Sequence, residues 1–257
     1  MEQHCFFFDI DNTLATWPDG VIPDSTMDTL ERLRRKGHFV ALATGRLQVD
    51  ALRFAKRAET PDFIADGGLS ITRGWEIKSM EGLDHKACID YIAQLELKHI
   101  EWAVTYDNTL RRFTPYEGVL DWAPSWDVFK TIHDKKIDYR EFPDFYKLYV
   151  FITPEEEKRK DFQFLTDQYI RYGDNCILYE PMDKARGVRH MLTVYGMPTE
   201  RAVVFGDGYN DLSMFSSDWM NIAMGNAREA LKKEADYVTA DCDKDGIYLA
   251  CRHFGWI

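Results

Sequence analysis

The sequence predicts an α/β protein in two parts: a parallel-sheet core with helices on its faces, and an α+β domain inserted into it. Three observations carry that expectation. Short apolar runs alternate with amphipathic helical stretches at both ends of the chain, the rhythm of strand–helix–strand units. The runs are apolar at every position, as strands buried on both faces require. From about Met80 to Tyr179 the rhythm is lost and the chain becomes rich in Trp, Tyr and Phe. The core is therefore assigned to residues 1–80 and 181–257, and the inserted cap domain to residues 81–180.

The first strand is Phe6-Phe7-Phe8, and it runs into Asp9 and Asp11. Carboxylates at the end of a buried strand need a cation or a hydrogen-bond partner. Ligands of open α/β sheets bind outside the carboxyl ends of the strands. After a polar loop, Asp24 or Ser25 is expected to cap a helix running to Lys36, with Met27, Leu30 and Leu33 on one face and Gly37 at its end. Phe39–Ala43 is a second buried strand ending in Thr44-Gly45-Arg46. A helix through Leu47, Ala51, Phe54 and Ala55 follows, then a short strand, Phe63–Ala65, before Asp66-Gly67-Gly68.

In the cap, helices are expected near Asp84–Leu97 and Pro154–Tyr172, with antiparallel strands such as Tyr146–Phe151 and the helices on one side. The run Glu155–Lys160 reads as a solvated helix face, acids first and bases four residues on. The core rhythm returns with a helix through Val188, Met191, Leu192 and Tyr195 that ends at Gly196. Val203-Val204-Phe205 then leads into Gly206-Asp207-Gly208-Tyr209-Asn210-Asp211. Asn221–Met224 and Tyr237–Thr239 complete the strands, with a helix over Ala227–Glu234 between them. A cleft between core and cap is the expected ligand site.

Composition narrows the classes. A formal net charge of −11 argues against nucleic acid as a partner, because such binders need a basic surface to displace counterions. No apolar run approaches a membrane span, and no leader is recognisable at the N-terminus, so no membrane partner is expected. The five cysteines, Cys5, Cys88, Cys176, Cys242 and Cys251, are scattered and odd in number, which fits a reducing, cytoplasmic setting rather than a zinc site or disulfide framework. A small phosphorylated ligand remains compatible, provided that a bound cation or a local basic group receives it.

Four signals fall at the ends of core elements: D-I-D-N-T from Asp9, A-T-G-R around Thr44, D-K-A-R-G around Lys184, and G-D-G-Y-N-D around Asp207. In this order and spacing the chain resembles the haloacid dehalogenase superfamily of phosphotransferases, and within it the Cof-type sugar phosphatases, over essentially its whole length. The resemblance implies a Rossmann-like core and a cap that selects the substrate. It implies Asp9 as nucleophile, forming an aspartyl-phosphate. It implies Mg²⁺ held by Asp9, Asp207 and the main-chain carbonyl of Asp11, with Asn210 and Asp211 orienting metal-bound waters or Lys184. Asp11 is the implied general acid and then base. Thr44 and nearby backbone N–H groups, Gly45 included, would hold the phosphate together with Lys184. Arg46 either reaches the phosphate or caps a helix, and Asn210 is a further substrate-side candidate.

Each residue also has an ordinary structural role to weigh: Thr44 or Asp9 as a helix cap, Lys184 as a surface lysine, Asp207-Gly208 as a turn. What favours chemistry is their coincidence at one end of one sheet. Asp241–Gly246 resembles the start of an EF-hand loop, but Arg252 stands where the bidentate carboxylate is needed, so it is set aside. In the cap, Arg111, Arg112, Lys147, Trp102, Trp122, Trp126 and Tyr149 are candidate sugar contacts. Their ordinary roles are solvent for the bases and core packing for the rings. Asp66-Gly67-Gly68 departs from the Asn-Gly common in the family, which leaves substrate contacts at that corner open. The expected function is phosphatase action on a small phosphorylated metabolite, most simply a sugar phosphate, by a monomer or small homo-oligomer. A phosphomutase and a non-catalytic phosphosugar sensor are the competing functions. A response-regulator receiver is disfavoured by the large insertion and the early D-x-D.

Overall fold

Every residue of β1 (Cys5–Phe8) is buried, and its alternating side chains feed two different hydrophobic layers. Phe6 and Phe8 pack on one side of the sheet, Cys5 and Phe7 on the other. This is why three consecutive phenylalanines suit a strand covered on both faces. The computed structural model describes residues 2–159 and 169–257. It divides into two units, Met1–Met80 with Met182–Ile257, and Glu81–Pro181.

The first unit continues with α1 (Asp24–Arg35), β2 (Phe39–Ala43), α2 (Gln48–Arg57), β3 (Phe63–Ala65), β4 (Ser70–Arg73) and β5 (Glu76–Met80). In the second unit come α3 (His85–Leu97), β6 (Trp102–Thr105), β7 (Arg111–Thr114), β8 (Lys130–His133), β9 (Lys147–Phe151), α4 (Pro154–Arg159), β10 (Tyr169–Gly173) and β11 (Cys176–Tyr179). The chain then returns to the first unit with α5 (Lys184–Tyr195), β12 (Ala202–Gly206), β13 (Met220–Ala223), α6 (Glu229–Glu234), β14 (Tyr237–Val238) and α7 (Gly246–His253).

The first unit is one eight-stranded sheet in the order β14-β13-β12-β1-β2-β3-β4-β5. It is parallel from β14 to β3, and β4 and β5 close it as an antiparallel hairpin. Leu30 and Leu33 of α1, Phe54 of α2 and Ile247 of α7 cover the face of Phe6 and Phe8. Val188, Met191 and Leu192 of α5 cover the other. The α/β expectation holds, but the β4–β5 hairpin and α7 were not expected. The helix α1 begins after Pro23, without a side-chain cap from Asp24 or Ser25. Proline suits this edge because its fixed φ and missing N–H cost the first turn nothing.

The second unit is a six-stranded sheet, β10-β11-β9-β6-β7-β8. Cys88, Ile92 and Leu95 of α3 pack on one face, against Trp102, Val104, Leu148 and Val150. Two expectations need correction. β7 and β8 run parallel, joined by the long connection 115–129 rather than a hairpin. The helix expected over Pro154–Tyr172 is described only as α4. Residues 160–168 lie outside the described residues, and Tyr169–Tyr172 belong to a strand. Nor are all the cap bases solvated. Arg112 is fully buried, 2.5 Å from Asp127 and 5.0 Å from the rings of both Trp122 and Tyr149, and Lys147 pairs with Glu180 in the interior. Trp102 is core, edge-on to Tyr139. Arg111 is exposed and pairs with Asp107. All five cysteines are free and buried. No helix of the described residues is long and apolar enough to cross a membrane.

Two packing details generate predictions. A Cβ added to Gly187 would lie 2.4 Å from Ile64 Cγ2, so α5 rests directly on β3 at this point. Gly187→Ala should cost about 1–3 kcal/mol in urea denaturation. The double variant with Ile64→Ala should be less destabilised than the sum of the single changes. At the other end of the sheet, His4 N donates to His38 Nδ1 at 3.0 Å, beside Phe6 and Trp256. Burial holds both imidazoles below their ordinary 6.5. The unfolded chain then takes up protons first as pH falls, so stability should be full above pH 6.5 and drop below it. Against His38→Asn, which cannot titrate, the wild-type melting temperature should fall across that window.

Candidate active site

Strand ends and one helix start converge at the carboxyl end of the core sheet. Asp9 directly follows β1, Thr44 follows β2 and Asp207 follows β12, while α5 begins with Lys184. Lys184 is 1% exposed and bridges two carboxylates, with Nζ 2.6 Å from Asp9 Oδ1 and 2.5 Å from Asp211 Oδ1. It is therefore no surface lysine. The other oxygen of Asp211 accepts the backbone N–H groups of Asp207 and Gly208, each at 2.9 Å. Both Asp211 oxygens are thus committed to holding the site together. Thr13 Oγ1 donates to Asp207 Oδ1 at 3.3 Å. Gly206 is required here, because a Cβ would meet the Asp211 carboxylate at 2.7 Å.

The electrostatics are those of a site short of positive charge. Burial, and then Asp211, push the Asp9 carboxyl well above the usual carboxylate range, against the pull of Lys184. Burial and Asp211 likewise push Asp207 up to about 7. Burial works against the Lys184 ammonium, but Asp211 and Asp9 outweigh it and hold its pKa above the ordinary value. Asp9, Asp207 and Asp211 each bring a carboxylate oxygen within 4.8 Å of the others. Both Asp211 oxygens already accept hydrogen bonds, so the carboxylate oxygens of this group left unengaged are Asp9 Oδ2 and Asp207 Oδ2. Two hard oxygen donors with uncompensated negative charge fit Mg²⁺ well.

Around this centre the remaining candidates separate. Thr44 is not the cap of α2: that position is Leu47, and Thr44 Oγ1 accepts the Arg46 backbone N–H at 3.1 Å. Gly45 is buried beside it. Arg46 caps no helix through its side chain. It clamps Asp11 with Nε 2.9 Å from Oδ2 and Nη2 2.6 Å from Oδ1, and places Nη1 2.5 Å from Asp50 Oδ2. Asn210 is half-buried, and its carbonyl accepts Ser213 Oγ at 2.8 Å, while Ser213 Oγ accepts the Lys184 backbone N–H at 3.2 Å. Asp66-Gly67-Gly68 is a structural joint. Asp66 N donates to Arg46 O, Gly67 N to Thr44 O, and Gly67 O accepts Asp183 N. Asp66 Oδ2 accepts the backbone N–H of Gln48, and so satisfies the start of α2 from a distance. The Cβ that Gly68 lacks would lie 2.0 Å from Asp183 O. Sequence reasoning missed Asp50, Thr13, Ser213 and the capping by Asp66. Two had a readable signal: Thr13 is the last residue of the D-I-D-N-T run, and Asp50 stands four residues after Arg46 at the start of a helix.

The model of the haloacid dehalogenase-like hydrolases matches residues 6–250. The chain belongs to that family. Within it, the chain falls in the Cof-type branch and is a phosphoric monoester hydrolase. It is 29% identical to YkrA of Bacillus subtilis, provisionally named a phosphatase, over 99% of both chains. It is 27% identical to a Streptococcus pyogenes protein, provisionally named a bifunctional phosphatase/peptidyl-prolyl cis-trans isomerase, covering 98% of this chain but only 54% of that longer one. Among solved structures, the HAD subclass IIB sugar phosphatase BT4131 superposes with a TM-score of 0.80 at 28% identity, over 99% of this chain and all of that one.

In this hydrolase Lys184 is the only cation among the described residues that the structure places on Asp9, and removing it strands buried carboxylates. Lys184→Met should lower metal-free stability by about 3–5 kcal/mol at neutral pH. The sign of its pH dependence follows from the raised carboxyls. Their penalty is full above about 7 and vanishes towards the ordinary 3.8, where the unfolded chain also carries the proton. The deficit should therefore shrink as pH is lowered through that range, in chemical denaturation with EDTA present.

Proposed function

We propose that the protein is a Mg²⁺-dependent phosphatase that hydrolyses small phosphomonoesters, sugar phosphates first among them, through an aspartyl-phosphate on Asp9. The observation that carries this reading is the buried Asp9–Lys184–Asp211 bridge beside Asp207. It holds the Asp9 carboxylate in place through Oδ1 while leaving Oδ2 free of Lys184 and open to a cation. The Asp9 carboxylate attacks phosphorus through the oxygen that does not face the metal, as the ester P–O bond breaks. Asp11 gives its proton to the departing alkoxide, then takes one from the water that cleaves the acyl phosphate. Thr44, Gly45 and Lys184 bind the phosphate oxygens and offset their charge, and Asn210 lies on the substrate side. The bound Mg²⁺, on Asp9, Asp207 and the Asp11 carbonyl, would supply charge neutralisation between two anions that must meet. Asp211 fixes Lys184 and the 206–208 turn rather than acting as a ligand.

The inserted domain selects the substrate in this reading, and similarity to a sugar phosphatase over the full length supports the sugar-phosphate preference. The reading places the protein in the cytoplasm, as a monomer or small homo-oligomer. Retention of Asp11 favours hydrolysis over a persistent phospho-enzyme, and a complete set of candidate groups weighs against a binding-only sensor. A phosphomutase would instead need priming by a sugar bisphosphate.

The test is phosphate release from a panel of sugar phosphates, nucleotides, flavin mononucleotide and pyridoxal phosphate, with Mg²⁺ and with EDTA. Wild type should release phosphate only with Mg²⁺. Asp9→Asn should lose at least about a hundredfold in kcat, since it removes the bond-forming oxygen. Near-wild-type release by Asp9→Asn, or release indifferent to EDTA, contradicts the reading.

A further inference from the structure

Arg46 is held by more contacts than one carboxylate needs. Its guanidinium is 17% exposed, and its three nitrogens are divided between two acids. Nε and Nη2 face Asp11, and Nη1 faces Asp50. The Phe54 ring lies 4.5 Å from its central carbon and Trp17 6.0 Å, which fixes the plane of the fork. Asp50 is 2% exposed, and its second oxygen accepts Arg53 Nη1 at 2.8 Å. It also stands in the first turn of α2, where the helix N-terminus favours negative charge. The two acids differ in their supports. Asp50 is part of a helix packed into the core, whereas Asp11 sits in the turn after β1.

We propose that Asp50 is a positioning residue for proton transfer at Asp11. It acts through Arg46: anchored from α2, the guanidinium presents a fixed two-nitrogen edge that sets the direction of the Asp11 carboxyl. A planar fork bound at one end only would follow the mobility of its partner; bound at both ends it becomes a template. This inference rests on the phosphatase reading above, and extends it to a residue outside the four motifs.

The test exploits the leaving group. A sugar alkoxide needs a proton as the P–O bond breaks, whereas 4-nitrophenolate leaves without one. A group that serves only the acid should therefore matter for the first ester and not for the second. kcat/KM, which reports the step up to release of the alcohol, is measured on the fastest sugar phosphate of the panel and on 4-nitrophenyl phosphate. The enzymes are wild type, Asp11→Asn, Asp50→Ala, Asp50→Asn and Arg46→Lys, each with Mg²⁺. Asp50→Ala should lose about 10- to 100-fold on the sugar phosphate, part of what a positioned acid supplies. It should lose less than about threefold on the aryl ester, the same selectivity as Asp11→Asn. Asp50→Asn, which keeps an acceptor for Nη1, should recover part of the loss.

Equal losses on both esters would make Asp50 merely structural, and no loss on either would remove its role; both outcomes overturn the proposal. If melting curves show Asp50→Ala unfolded, Arg46→Lys decides, since a lysine cannot span both acids. It should show the same selectivity, and an unselective loss overturns the proposal. Wild type that releases phosphate from neither ester ends the phosphatase reading and this inference together. Leaving-group selectivity in Asp11→Asn without it in Asp50→Ala and Arg46→Lys ends the inference alone.

Discussion

The architecture of the core depends on one buried ammonium. Lys184 joins the end of β1, through Asp9, to the turn after β12, through Asp211. Without a cation these carboxylates would repel each other in a medium that solvates charge poorly. With it, two neighbouring strand ends and the first residue of α5 are tied at one point. The remaining charge imbalance, visible in Asp9 and in Asp207 raised to about 7, is the condition that makes a divalent cation welcome. The same features that strain the site without a metal prepare it for phosphate chemistry.

The rest of the first unit positions that ammonium. Gly187 lets α5 lie directly on Ile64 of β3, and the 66–68 turn hydrogen-bonds to both the Thr44–Arg46 loop and Asp183. Asp183 in turn caps α5 by accepting Arg186 N. Glycine at 68 is dictated by the 2.0 Å approach that a Cβ would make to Asp183 O. Gly206 serves the Asp211 side in the same way. Packing, not side-chain chemistry, thus sets the distances at which chemistry becomes available.

How much of this was legible follows from what each signal depends on. β1, β2 and β12 were readable because strands buried on both faces are apolar at every position. Asp9 and Asp207 stood out as acids at the ends of such runs. The β4–β5 hairpin was not readable: Glu76, Ile77 and Lys78 are exposed, and the strands carry little apolar content. Tyr169–Tyr172 were read as the end of a helix by extension from the charged run before them, although their aromatic and β-branched residues favour a strand. The parallel pairing of β7 and β8 is a topological fact that composition does not carry; only the length of the connection hinted at it. Within the site, identities were legible but partnerships were not. Nothing in the sequence says that Arg46 pairs with Asp11, that Asp211 spends both oxygens on structure, or that Asp66 caps α2 from φ +50°. These depend on tertiary contacts between segments far apart in the chain.

The central claim is that Asp9 carries the phosphoryl group. The most direct measurement is acid quenching of Asp11→Asn during turnover of a radiolabelled phosphomonoester with Mg²⁺, followed by peptide mapping of the label. On the proposed mechanism this variant keeps the nucleophile but lacks the base that clears the intermediate. The account predicts acid-stable, alkali-labile label on the peptide containing Asp9, absent when Asp9 is also changed to Asn. Label on a different residue, or turnover by an Asp9→Asn enzyme with no label at all, would contradict it.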